Sequence, residues 1–488
     1  MVMFFLTSGL FLGWSLGAND AANVFGTAVG TRMVRFTTAA LICSIFVIIG
    51  AVVGGAGATH TLGKLGAVNA LGGSFMVAFA AAATVYTMTK MSLPVSTSQA
   101  VVGSIIGWNF FTGALTDPAS FSKIVMTWVL CPLLAAVIAV ILFSVVDRTI
   151  RTTKPHLLRE DILTRWGLIL VGAFGSYSLG ANNIANVMGV FVPVAPFKPL
   201  VIPGLFTFSG AQQLFLLGSI AIAIGVFTYS RRVMETVGSS LMKLTPPMAF
   251  VVVLSHSIVL FLFSSQGLES WLASHGLPTI PLVPVSSSQA VIGAVIGIGL
   301  LKGGKGIKFK VLGEIATGWV TTPIIACTVT FICLFFLQNV FTVQISRDIS
   351  YRIDDIVIAQ MAKEGLIDSK TDNLSGQQFT RQSDLNSLLA EKTGFDRKQR
   401  AEIVELAAVD RYLVNATVLA GDGWLSSEQS EALTALDGVA YDHGWQLESA
   451  LQHGSKSWSY LSKDTVNKKH NKKLKEQIKA VVAACRVN

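Results

Sequence analysis

The sequence predicts an all-α polytopic membrane protein made of two inverted repeats, with broken helices and two re-entrant hairpins, followed by a C-terminal, mainly helical soluble domain. Three observations predict it. Of 488 residues, 52% are hydrophobic and only 13% charged, too apolar a balance for an ordinary soluble globule. Two polar phrases each occur twice and in the same order, Gly17-Ala18-Asn19-Asp20-Ala21-Ala22-Asn23 with Gly180-Ala181-Asn182-Asn183-Ile184-Ala185-Asn186, and Pro94-Val95-Ser96-Thr97-Ser98-Gln99 with Pro284-Val285-Ser286-Ser287-Ser288-Gln289. After about Thr342 the apolar runs stop and charged and apolar positions mix at helical spacing.

The elements follow in order. Apolar runs near 36–58, 124–146, 166–192, 200–229, 245–263 and 311–343 reach or approach the roughly 20 residues that a helix needs to cross a bilayer core. The first segment, about Phe4 to Val29, carries Gly9, Gly13, Gly17 and Gly26 around its Asn motif. It reads as a helix interrupted near Gly17 to Asn23, which a membrane tolerates only where the freed backbone faces protein or water. The Ala-rich run from Leu71 to Lys90 is stopped by Pro94, which removes a donor and disfavours a helical residue before it. A hairpin with its tip at Ser96 to Gln99 and a second arm to Phe111 follows. Each copy of the tip leads into a glycine-spaced run, Gly103 to Gly107 and Gly293 to Gly297, expected to serve close helix packing. Each half closes on a Trp-x-x-x-Pro helix, Trp128 to Pro132 and Trp319 to Pro323.

The hairpin returns to its own side, so each repeat makes an odd number of crossings and the second copy is inverted relative to the first. That is the architecture of many secondary transporters, whose site lies where the repeats meet. The expected divisions are 1–147 for the first repeat, 148–165 for a basic connecting loop, 166–343 for the second repeat and 344–488 for the soluble domain. In the second half Gln266 to Leu282 is an added piece, with Trp271 and two prolines, expected to emerge at a membrane surface. The C-terminal domain has a turn at Gly421-Asp422-Gly423 and a lysine-rich end from Lys468 to Lys479.

The net charge of +9 is unevenly shared, since residues 1–345 hold 18 Lys and Arg against 8 Asp and Glu. Positive loops in a membrane protein set its orientation and do not advertise nucleic-acid binding. The basic positions Arg148, Arg151, Lys154, Arg159 and Arg165 place the central loop on the cytoplasmic side. The five cysteines are scattered and indicate packing, with neither a disulfide framework nor a metal cluster. His60, His256 and His275 are single residues without ligand spacing and read as structural or interfacial.

Polar side chains inside a membrane segment are expensive, and their default reading is functional; as single instances they also serve to bind helices together. Helix N-termini at breaks and tips attract anions, while carbonyl ends and Asn and Asp oxygens suit a hard cation such as sodium. Ser96, Thr97, Ser98, Ser286, Ser287 and Ser288 supply hydroxyls, and Gln99 and Gln289 supply amides. No Arg or Lys lies within any of the four motifs. An oxyanion taken into a low-dielectric site without a countercharge is strongly disfavoured, so a mobile cation should travel with it. Asp20, the only ionisable residue in the motifs, is the candidate sodium ligand or proton carrier.

The paired Asn motifs and paired Pro-Val-Ser-(Thr/Ser)-Ser-Gln tips resemble the inorganic phosphate transporter (PiT) family of cation-coupled symporters, over most of residues 1–343. The resemblance implies phosphate as the substrate and sodium or protons as the transported driving ion, with no cofactor and no enzymatic activity. It implies a shared site in which Asn19, Asp20, Asn23, Asn182, Asn183 and Asn186 serve substrate and coupling ion, with Asn19, Asp20, Asn182 and Asn183 as sodium ligands. The tips, Ser96 to Gln99 and Ser286 to Gln289, would bind the substrate. The family pattern commonly has Asp at the fourth position of both Asn motifs, whereas this chain has Asn183, which bears on ion stoichiometry. The expected surroundings are lipid, in a plasma membrane such as a bacterial inner membrane, and a homo-oligomer stays open. Competing readings are a sulfate or other tetrahedral-oxyanion symporter, a passive anion channel, a serine-based membrane enzyme and a sensor signalling through residues 346–488. The enzyme is disfavoured because no Gly-x-Ser-x-Gly elbow is present and the serines come in symmetric pairs.

Overall fold

The computed structural model describes residues 2–66, 68–91, 95–194, 197, 200–202, 206–231, 233–234, 242, 244–304, 307–366, 374–416, 425–462 and 467–487, although several side chains within these spans, those of His60 and Lys64 among them, are not described. The expected helix stop at Pro94 and turn at Gly421-Asp422-Gly423 lie outside the described residues. The chain divides into two compact units. One comprises Met1–Phe111, Thr116–Lys198 and Ser209–Ser346; the other comprises Thr112–Leu115, Pro199–Phe208 and Arg347–Asn488.

The first unit is helical. Its helices are α1 (Val2–Gly30), α2 (Phe36–Gly54), α3 (Ala56–Leu65), α4 (Leu71–Lys90), α5 (Thr97–Thr112), α6 (Pro118–Thr153), α7 (Leu157–Met188), α8 (Gly210–Thr228), α9 (Pro246–Ser264), α10 (Gln266–Ser274), α11 (Ser287–Leu301) and α12 (Phe309–Asn339). Eight of the described helices, α1, α2, α4, α6, α7, α8, α9 and α12, are long and apolar enough to cross a membrane. The protein is a multi-pass membrane protein. In α6 and α12 only 22% of the most apolar window is buried, against 67% in α4 and α9, so the former face lipid and the latter are interior. Starts are fixed by local chemistry: Asp117 accepts from the Ala119 and Ser120 amides ahead of Pro118, and Ser209 forms a reciprocal capping box with Gln212.

Two expectations about this unit are corrected. The Asn motifs do not break their helices: α1 and α7 run continuously through Gly17–Asn23 and Gly180–Asn186. The glycines serve close approach instead. A Cβ on Gly17 would stand 2.0 Å from the Ile222 carbonyl oxygen, and one on Gly180 would stand 2.2 Å from that of Val47. The basic segment 148–165 is largely helix and not loop, since α6 ends at Thr153, Lys154 caps it in the left-handed region and α7 begins at Leu157. Its charges explain this, because Arg151 pairs with Asp147 and Arg165 with Asp161 one turn apart, a spacing that favours helix. The added piece after α9 contains the short α10, with Trp271 exposed.

The second unit is mixed. A hairpin pairs β1 (Leu200–Ile202) with β2 (Phe206–Phe208). Strand β3 (Ser350–Ile353) lies antiparallel between β4 (Gln377–Phe379) and β5 (Ala408–Val409), and β6 (Tyr412–Leu413) pairs with β7 (Ala440–Tyr441). Helices α13 (Asp355–Lys363), α14 (Gln382–Lys392) and α15 (Arg397–Ala407) pack a core around Ile353, Met361, Leu389 and Ile403. Helices α16 (Ser427–Thr434), α17 (Gly444–Gly454) and α18 (Lys468–Cys485) pack a second core around Leu433, Leu447, Trp458 and Leu474. A mainly helical domain is therefore correct for its bulk, but strands of two to four residues are too short to show alternation in sequence.

Candidate functional site

Asn19, Asp20 and Asn23 share one face of α1 because residues three and four apart lie over one another on a helix. Asn182, Asn183 and Asn186 do the same on α7. The two tips enter between them as the N-terminal ends of α5 and α11, where Ser96 Oγ accepts from the Gln99 amide and Ser286 Oγ from the Gln289 amide. These bonds satisfy a donor that the first turn of a helix otherwise leaves unpaired. All fourteen motif residues predicted for the site are buried, and the structure brings the four segments together.

The contacts are exchanged between halves. Asn23 Nδ2 of the first half donates to Ser287 Oγ of the second at 3.1 Å, and Asn186 Nδ2 of the second donates to Ser98 Oγ of the first at 2.8 Å. The tips also exchange bonds, Ser98 Oγ donating to the Val285 carbonyl at 3.1 Å and Ser288 Oγ to the Val95 carbonyl at 3.3 Å. Within each Asn motif the amides turn to the fourth position: Asn19 Nδ2 donates to Asp20 Oδ1 at 3.1 Å, and Asn186 Nδ2 donates to Asn183 Oδ1 at 3.0 Å. Asn19 also reaches the Val95 carbonyl at 3.5 Å, while Asn182 takes the Val285 amide at 3.0 Å and donates to the Val283 carbonyl at 3.3 Å. The result is two clusters, one holding Asp20, Asn23 and Ser287 and the other Asn183, Asn186 and Ser98.

Several buried polar atoms here have no hydrogen-bond partner in the protein: Thr97 Oγ1, Gln99 Oε1, Asn183 Nδ2, Asn186 Oδ1 and Gln289 Oε1. Each such atom costs about 1–3 kcal/mol if nothing pairs with it, so their gathering in one place calls for a polar occupant. Gln99 and Gln289 further line a cavity of about 360 Å³ together with Trp128, Trp319, Ala316, Val320 and Pro323. The two indole Nε1 atoms are likewise buried without a partner. The repeat had marked both tryptophans, yet the sequence assigned them no role; their recurrence at one place in each half was the available signal.

His256, expected to be structural or interfacial, stands beside the motifs. It is fully buried on α9, with Nε2 2.9 Å from Ser287 Oγ and Nδ1 without a partner. A lone histidine without ligand spacing gives no local signal, because its partner, Ser287, comes from α11. Lys90, by contrast, stays at the surface with its ammonium over the Tyr86 ring at 5.1 Å.

Comparison with known proteins bears on this arrangement. A profile of the family described as "Phosphate transporter family" matches residues 16–164, 154–270 and 276–480, and so runs beyond residue 343, where the motif resemblance stops. A protein of Methanocaldococcus jannaschii named as a phosphate permease is 30% identical over 67% of this chain and 95% of its own length. One of Haemophilus influenzae with the same description is 23% identical over 68% of this chain and 96% of its own. The solved structure titled "The sodium-dependent phosphate transporter" shares the fold, with a TM-score of 0.53 and 23% identity over 69% of this chain and 98% of that one.

Proposed function

Because the chain belongs to the phosphate transporter family, we propose that it is a secondary active transporter that imports inorganic phosphate by symport with a cation, sodium in the first instance. The observation that carries the reading is the convergence of two Asn motifs and two Ser/Thr tips on buried unpartnered atoms of both kinds, the donors Thr97 Oγ1 and Asn183 Nδ2, which suit an oxyanion, and the acceptor oxygens of Gln99, Asn186 and Gln289, which suit a cation. A tetrahedral oxyanion accepts from hydroxyls and amide N–H groups, and the helix N-termini at Ser96 and Ser286 add favourable dipoles.

In this reading Ser96, Thr97, Ser98, Gln99, Ser286, Ser287, Ser288 and Gln289 hold phosphate, while Asn19, Asp20, Asn182 and Asn183 offer oxygens to sodium, and Asn23 and Asn186 join the two sets. Asp20 is the one fixed negative charge among them, and no Lys or Arg lies in the motifs. Anion and cation thus neutralise each other inside a site that neither enters cheaply alone.

The alternation of access follows from two inverted repeats, 1–147 and 166–343, with 148–165 between them and 344–488 as an appended domain. Two facts support re-entrant hairpins. Helices α5 and α11 have 16 and 15 residues. At about 1.5 Å per residue neither covers the roughly 30 Å of a bilayer core. A bacterial inner membrane suits a carrier driven by a cation gradient.

Labelled phosphate uptake into proteoliposomes tests the proposal: it should accumulate above equilibrium under an inward sodium gradient. Uptake that follows only the phosphate gradient would identify a passive channel, and equal competition by sulfate would remove phosphate selectivity.

A further inference from the structure

The two crossed clusters differ in their hydrogen bonds and in their chemistry, since Asn23 reaches Ser287 whereas Asn186 reaches Ser98, the counterpart of Ser288. From Asp20 Oδ1 a continuous chain runs through Asn23 Nδ2 at 3.5 Å, Ser287 Oγ at 3.1 Å and His256 Nε2 at 2.9 Å. The chain in the other cluster, Asn183 to Asn186 to Ser98, contains nothing that titrates. Thr97, the counterpart of Ser287, has no partner for its hydroxyl, and α4, the counterpart of α9, has no histidine. Both ionisable groups therefore stand at the same crossing, one at each end of a single hydrogen-bonded chain.

We propose that His256 is a second coupling group of the transport site, taking up one proton at Nδ1 when phosphate binds and releasing it on the other side of the membrane. The inference rests on the transport reading above. A neutral imidazole presents one N–H and one lone pair. If Nε2–H donates to Ser287 Oγ, the free lone pair is on Nδ1, which has no donor near it. Protonation there forms an imidazolium whose Nε2–H still donates to Ser287, so the charge changes by one while the hydrogen-bonded chain stays intact. An anionic cargo held by the Ser287 tip favours that charge, and its departure removes the support. The proton would compensate part of the cargo charge that Asn183, lacking a carboxylate, leaves without a second cation.

The groups packed around His256 leave that role to it. Helix α1 presents Asp20 at the far end of the chain, and α6 presents the Cys131 thiol, which faces the Ser286 carbonyl at 3.6 Å. Helix α11 contributes no titratable residue. On α7 the charged residues Arg159, Glu160, Asp161 and Arg165 belong to the first turns, whereas its contact with α9 near Ser257 is made by Gly175. Helix α3 carries His60 and Lys64, whose side chains lie outside the described residues.

The test uses purified full-length protein in proteoliposomes with equal sodium on both sides and an interior more alkaline than the medium. Labelled phosphate should accumulate, and an ionophore that collapses the pH gradient at the same external pH, so that phosphate speciation outside is unchanged, should abolish the accumulation. His256→Gln, which keeps a hydrogen-bonding group toward Ser287 but cannot carry the charge, should lose this accumulation while still exchanging internal unlabelled for external labelled phosphate. Accumulation by the variant equal to wild type would overturn the proposal. So would loss of exchange together with accumulation in a variant that melts like wild type, since His256 would then only position Ser287. Wild-type accumulation under a sodium gradient with no response to the pH gradient would remove the proton role and leave phosphate symport standing, whereas no phosphate movement in any mode would sink the transport reading itself. Should His256→Gln not fold, His256→Asn repeats the variant arm, and the wild-type arms decide by themselves.

Discussion

At the scale of single residues the site is defined by which atoms lack a partner and which carry charge. Asp20 is the only carboxylate among the motif residues, bonded by Asn19 and Asn23 and 3% exposed. Asp20→Asn preserves those contacts in shape and removes the charge, so cation-dependent uptake should be lost while thermal stability is kept. Near-normal sodium dependence in that variant would take Asp20 out of the mechanism. Asn183→Asp tests the opposite change. It places a second carboxylate at the corresponding position of α7, and the number of cations per phosphate, read from flux ratios, should rise; an unchanged ratio would show that the fourth position does not set stoichiometry. The polar character of these positions was legible because Asn and Asp stand out in an apolar run. His256 was not, because its meaning depends on Ser287, brought near it by the fold.

At the scale of elements the glycines of the Asn motifs decide how closely helices meet. Gly17 and Gly225 seat α1 against α8, and Gly50 and Gly180 seat α2 against α7, each with a carbonyl where a Cβ would be. Gly180→Ala should destabilise the protein by about 1–3 kcal/mol through overpacking, measured as a lower melting temperature in detergent. Gly313 on α12 has open space at its Cβ, so Gly313→Ala is the control and should be neutral or slightly stabilising. Equal effects at the two positions would refute the close-approach role. The sequence suggests a helix break at Gly17 because glycine serves both breaks and contacts, and only the neighbouring carbonyl distinguishes them. The runs after the tips fulfil their packing role: Gly103 lies against the Pro323 carbonyl and Gly293 against that of Pro132.

At the scale of the whole molecule each half is completed by the other. Helix α1 packs on α8 and α7 on α2, Asn23 reaches Ser287 and Asn186 reaches Ser98, so neither half buries its own polar motif alone. The link 154–156 is the non-helical point between α6 and α7. Fragments 1–155 and 156–488 should therefore be inactive singly and restore phosphate uptake when co-expressed; activity from the first fragment alone would contradict the exchange. The second unit has its own cores around Ile353 and Leu447, so ending the chain at Ser346 should leave uptake measurable if that unit regulates transport. Complete loss of uptake in a correctly inserted truncation would make it part of the carrier.

The sequence by itself determined the membrane setting, the duplication and the fourteen polar residues, because hydropathy and repetition are properties of order along the chain. Only the tertiary structure decided that the Asn-motif helices are unbroken, that the two halves trade hydrogen bonds, and that His256 and the two tryptophans stand beside the motifs. Those facts depend on distances between residues up to 264 positions apart, and no local pattern records them, since a side chain acquires its partner only when packing brings a remote segment to it.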